Sequence, residues 1–191
     1  MKVMIIPEDP TLDSHVLKPI VQRIFKDLNR KATIDVLQDP HLGGVSQALD
    51  KEIVQGILRQ ERMIDLFLLI VDQDCVESRK AALEARVADA AQAGRTMIGC
   101  LAIEEVETWI LALHRKELAD GWKKVRAECH PKEQYFDKLV KEKKWGESLG
   151  RGRVAAMRAL PGNWKGLRDR CPELKELRNE IDDWLRAGGD P

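Results

Sequence analysis

The longest apolar run in the chain, residues 66–71 (Leu-Phe-Leu-Leu-Ile-Val), ends directly on the acidic pair of Asp72-Gln73-Asp74. Six residues are far too few to cross a bilayer, which needs about 20. An unbroken rather than alternating run reads as a strand buried on both faces of a parallel sheet. Residues 1–6, 33–37 and 96–103 carry the same strand signal, and helical patterns separate them. Asp13-Ser14 predicts an N-cap, followed by Val16, Leu17, Ile20, Val21, Ile24, Phe25 and Leu28 on one helix face. Val45, Leu49, Ile53 and Ile57 define a second helix, and a third runs from about residue 77 to 93, ending at Gly94. Sustained strand–helix alternation predicts an α/β fold: a mainly parallel sheet, flanked by helices and joined by right-handed crossovers.

From Glu105 the pattern turns helical, led by Val106, Trp109, Ile110 and Leu113. Breaks fall at Trp145-Gly146, Gly150-Arg151-Gly152-Arg153, Pro161-Gly162-Asn163 and Cys171-Pro172, and Leu174, Leu177, Ile181 and Leu185 stripe the last helix. The expected organisation is an α/β core over residues 1–113 and a helical, locally basic extension over residues 114–191 packed on it.

Composition narrows the class. Hydrophobic residues at 43% and charged residues at 34% exclude both disorder and a membrane protein. The N-terminal apolar stretch meets Pro7-Glu8-Asp9 too soon to serve as a secretory signal, so a cytoplasmic protein is expected. Cys75, Cys100, Cys129 and Cys171 show no close metal-ribbon or redox spacing, and reduced thiols are the expectation. Cys129-His130 with Cys171 offers only a weak metal pattern. The zero net charge divides into −5 over residues 1–113 and +5 over residues 114–191. Residues 138–170 hold ten basic side chains against three acidic ones, which suits phosphate-bearing partners.

Three acidic clusters follow three expected strands: Glu8-Asp9, Asp72 with Asp74, and Glu104, Glu105 and Glu107. In a parallel sheet these strand ends share one edge, where open α/β folds bind ligands. Converging carboxylates repel one another unless a cation neutralises them, and hard Mg²⁺ or Mn²⁺ suits oxygen ligands. Taken alone, each cluster also has a structural reading, as a loop decoration, a helix cap or a first-turn acid.

A glutamate after the first strand and an Asp-x-Asp after the third resemble the Toprim fold of topoisomerases, primases and overcoming-lysogeny-type nucleases. Residues 101–112, Leu-Ala-Ile-Glu-Glu-Val-Glu-Thr-Trp-Ile-Leu-Ala, resemble the strand-to-helix signature of small prokaryotic Toprim-related proteins associated with defence or mobile elements. Glu105, Glu107 and Trp109 match that signature, and residues 131–133 and 170–172 also look like the group. The resemblance implies that Glu8 is the catalytic acid or base, that Asp72 and Asp74 bind metal with Glu105 or Glu107, and that the protein is a magnesium-dependent nuclease or phosphotransfer enzyme. Two departures, Asp9-Pro10 after Glu8 and Cys75 after Asp74, motivate the alternative of an inactive scaffold that binds nucleic acid or a protein partner.

The expected nucleic-acid surface comprises Lys141, Lys143, Lys144, Arg151 and Arg153, with Trp145 and Trp164 available either to stack on bases or to dock the extension. Trp109 is expected in the core; His15, His41 and His114 are expected to pack or face solvent, with His41 nearest the ligand-binding edge. A receiver-like or nucleotide-handling protein is a weaker third reading, since no phosphate-cradling glycine motif is present.

Overall fold

A computed structural model describes residues 1–189 and confirms the α/β class. Strands β1 (Lys2–Pro7), β2 (Thr33–Val36), β3 (Leu66–Asp72) and β4 (Met97–Ala102) form a parallel sheet in the order β2-β1-β3-β4. β3 is buried along its whole length, as its unbroken apolar run requires.

Helix α1 (Ser14–Asp27) covers one face of the sheet, while α2 (Val45–Ala48), α3 (Lys51–Gln60) and α4 (Ser78–Gln92) cover the other. The period of two along each strand creates this division. Val3, Ile5, Leu66, Leu68 and Ile70 face α1, whereas Met4, Ile6, Phe67, Leu69 and Val71 face α2 to α4. From β1 the chain first moves to β2, then returns past β1 to build β3 and β4. The order therefore reverses between β1 and β3, which are paired up to Pro7 and Ile70. Glu8 and Asp72 emerge at that switch point, the place where such sheets open a crevice for ligands.

The C-terminal part continues with α5 (Glu107–Leu113), α6 (Trp122–Arg126), a π-helical turn (Lys132–Phe136) leading into α7 (Asp137–Glu142), then α8 (Arg153–Met157), α9 (Leu160–Arg170) and α10 (Pro172–Arg186). Leu160, Trp164, Leu167, Leu174, Leu177, Ile181 and Leu185 enter the same hydrophobic cluster as α1 and the sheet. Glu173 fastens this junction: it accepts Trp109 Nε1–H at 2.8 Å and both terminal nitrogens of Arg126 at 2.9 and 3.0 Å.

Two local expectations change. The helix expected through residues 45–57 breaks at Leu49-Asp50, because Asp50 caps a new helix by accepting Ile53 N–H at 2.9 Å. The expected reduced state of the cysteines is corrected at two positions: Cys75 and Cys129 form a disulfide, while Cys100 and Cys171 are free and buried. Linear spacing concealed this pair because the fold brings residues 54 apart in sequence to a Cα–Cα distance of 5.6 Å.

Candidate metal centre at the carboxyl edge of the sheet

Asp72 ends β3 and is 8% exposed. Its Oδ1 accepts the Val106 N–H at 2.8 Å, so the carboxylate secures the entrance to α5 and does not cap α4. Burial raises its pKa well above the usual carboxylate range, reinforced by the charges of Glu8, Glu107, Asp13 and Asp74. Glu8 is also raised, first by burial and then by Asp74, and its Oε2 is buried without a hydrogen-bond partner.

Asp13 occupies the expected N-cap position of α1, where its carbonyl accepts the Val16 and Leu17 N–H groups, but its side chain makes no cap hydrogen bond and joins this group instead. It is 6% exposed and accepts Asp9 N–H through Oδ2 at 3.1 Å. Its pKa is raised to about 8 by burial and by the nearby charge of Glu107. A sequence signal existed: Asp13 precedes Val16 and Leu17 by three and four residues and so shares their inward-facing side.

Asp74 lies at the rim. It has φ +44° and Cys75 has φ +53°, a consecutive left-handed pair that turns the chain sharply after Asp72. The turned backbone is held by Glu104: its carbonyl accepts Gln73 N–H at 2.8 Å and Asp74 N–H at 2.9 Å, and its carboxylate accepts Cys75 N–H. Glu104 is thus a buried support for the Asp-x-Asp loop. Asp74 itself pairs with Arg79 of α4, which also donates to the Asp72 carbonyl at 2.7 Å.

The other expected metal ligands diverge. Glu107 is engaged by Arg153 in a buried ion pair, both residues being 2% exposed. Glu107 is therefore neutralised within the protein, and Arg153, expected on an exposed nucleic-acid surface, is corrected to an interior residue. Glu105 turns away toward residues 130–133, where its Oε2 accepts Lys132 N–H at 2.7 Å. Burial raises its pKa to about 7 despite that hydrogen bond. His130 and Glu133 complete a local group with Glu105, their candidate ligand atoms all within 4.8 Å of one another. The sequence pattern that pairs His130 with cysteines is corrected accordingly: Cys129 is consumed by the disulfide, and Cys171 is buried elsewhere.

The basic loop approaches the acidic edge. Gly150 has φ +64° and packs so closely on His15, at the start of α1, that an added Cβ would lie 2.3 Å from the imidazole. Arg151 is exposed beside it, as are Lys141, Lys143 and Lys144 on the neighbouring segment. Lys143 pairs with Glu117. Trp164 is buried, with Arg23 and Arg168 guanidinium groups 5.9 and 5.1 Å from its ring centre, so it docks the extension. Trp145 packs edge-on against His114, whose Nε2 lies 2.9 Å from the Ala156 carbonyl. His41 is exposed.

Fold and site together define a doubly wound parallel α/β protein with a carboxylate-lined switch point. Comparison of the chain with protein-family models, curated proteins and solved structures finds no match. No helix among the described residues is long and apolar enough to cross a membrane.

Proposed function

We propose that this protein is a metal-dependent phosphodiesterase of Toprim-like design acting on nucleic acid. The carrying observation is the meeting of Glu8, Asp72 and Asp74 at the sheet's switch point, with Glu8 Oε2 buried and unpartnered. An orphaned carboxylate oxygen among other carboxylates suits the neighbourhood of a hard divalent cation, with Asp72 and Asp74 as the residues that would hold Mg²⁺ or Mn²⁺ and Glu8 beside them as acid or base. Such an ion would neutralise phosphate charge and acidify a bound water. Burial and the neighbouring Asp74 charge raise Glu8 above the ordinary glutamate value, so it holds a proton more readily than a free carboxylate, which suits an acid–base residue. Exposed Lys141, Lys144 and Arg151 would offer backbone-phosphate contacts.

Calorimetric titration of Mn²⁺ and Mg²⁺ into wild type and an Asp72→Asn, Asp74→Asn double variant tests metal capture; saturable binding lost in the double variant is expected. A screen of single- and double-stranded DNA and RNA then tests activity. Glu8→Gln and Asp72→Asn are expected to abolish cleavage while preserving the circular dichroism spectrum, and unchanged cleavage in both would overturn the mechanism.

The Asp74–Arg79 pair favours a second reading, in which the rim carboxylate is already neutralised and the core is a scaffold. That reading expects metal-insensitive nucleic-acid binding, weakened by charge reversal at Lys141, Lys144 and Arg151 and steeply dependent on salt.

A further inference from the structure

We propose that Glu105, His130 and Glu133 form a separate binding site for a borderline divalent transition ion of the Zn²⁺ type. This inference does not depend on nuclease activity or on metal capture by Asp72 and Asp74. One carboxylate oxygen from each glutamate and one imidazole nitrogen lie mutually within 4.8 Å, a separation that small side-chain rotations bring to the span of one coordination sphere. The donor chemistry differs from that of the switch-point cluster. Imidazole favours Zn²⁺, Co²⁺ or Ni²⁺ over Mg²⁺ and Ca²⁺, which prefer oxygen-only surroundings. Three protein donors also leave a fourth position for water or a ligand.

Two independent features distinguish this group from a solvated acidic face. Glu105 is 8% exposed, and its Oε2 is fixed by Lys132 N–H. Among the described residues its Oε1 makes no hydrogen bond and is reached by solvent, so an accessible carboxylate oxygen remains uncommitted beside His130 and Glu133. The segment carrying the other two donors is also tied down. Cys129, immediately before His130, is bonded to Cys75 of the Asp-x-Asp loop. Gln134 N–H donates to the His130 carbonyl at 3.1 Å, turning the chain so that His130 and Glu133, three residues apart, share a side. The backbone positions of all three donors are therefore set before an ion arrives, and ordering costs fall mainly on two exposed side chains.

The test uses the full chain with its disulfide intact and all metal removed by chelation. Zn²⁺ is titrated calorimetrically, and Co²⁺ is followed by its visible absorption, which reports coordination geometry and requires no activity. One equivalent of Zn²⁺ should bind to wild type and to the Asp72→Asn, Asp74→Asn double variant, and excess Mg²⁺ should not displace it. His130→Ala and Glu133→Gln, both at exposed positions, should each weaken binding by more than about 100-fold, beyond the 10–100-fold cost of losing an outer-shell partner. They should also remove the Co²⁺ spectrum while leaving Mn²⁺ binding at the switch point unchanged. Equal Zn²⁺ affinity in wild type and His130→Ala would overturn the assignment, as would loss of Zn²⁺ only in the Asp72, Asp74 double variant. Absence of saturable Zn²⁺ binding in wild type would overturn it as well. Loss of the Mn²⁺ site with retention of the Zn²⁺ site would instead count against the proposed phosphodiesterase centre alone.

Discussion

At the scale of single residues, the carboxyl edge is dominated by acids held where water cannot fully solvate them. Asp13 keeps its proton to about pH 8 in the fold, against an ordinary value of 3.8. Between those values the folded state binds more protons than the unfolded chain, so this group's contribution to stability declines as pH rises from about 4 to 8. Glu105, raised to about 7, acts in the same direction, as do Glu8 and Asp72. The melting temperature of the metal-free protein should therefore fall between pH 5 and pH 8, and Asp13→Asn should flatten that decline; a profile unchanged by the substitution would contradict the burial of Asp13. The Glu107–Arg153 pair presents the opposite case, two charges that compensate one another inside the protein. Arg153→Ala leaves Glu107 buried and alone, and denaturant unfolding should show a loss of about 3–5 kcal/mol. Replacing both partners, as in Glu107→Gln with Arg153→Met, should cost clearly less. The residue types at Glu8, Asp72 and Asp74 were legible as a candidate site because strand ends are readable from hydropathy. The neutralisation of Glu107 was not, since Arg153 lies 46 residues away and only packing selects it as the partner.

At the scale of elements, close approach decides two features that local pattern leaves open. α4 packs against β4 so tightly at Gly99 that an added Cβ would lie 2.9 Å from Leu83 and 3.1 Å from Val87. Gly99→Val should therefore destabilise the protein by about 1–3 kcal/mol in denaturant unfolding, through overpacking rather than backbone conformation. The Cys75–Cys129 bridge joins the loop after β3 to the segment before the π-helical turn. Opening it by Cys129→Ser should lower stability under oxidising conditions by about 2–4 kcal/mol and leave wild type and variant closer together in reductant. The strands and α1 were readable because each presents a regular apolar period. The break between α2 and α3 was obscured because Val45, Leu49, Ile53 and Ile57 keep helical spacing across Asp50, whose capping role depends on its backbone turning extended at that point.

At the scale of the molecule, the α1 face of the sheet is completed by helices that follow residue 113. Without α8, α9 and α10, the apolar surface formed by α1 and α5 would meet water. A fragment ending at residue 113 should consequently be a collapsed state that binds a hydrophobic dye and lacks near-ultraviolet circular dichroism; a cooperatively melting fragment would refute this.

Hydrophobic period and strand termination are local properties, so the α/β class, the parallel alternation, the four strands and the acids behind three of them could be read from the order of residues alone. Tertiary structure decided which acids meet. It drew Asp13 into the cluster with Glu8 and Asp72, gave Glu107 to Arg153, turned Glu105 toward His130 and Glu133, and joined Cys75 to Cys129. Those outcomes depend on distances between segments far apart in the chain, and such distances are set only when both faces of the sheet are packed.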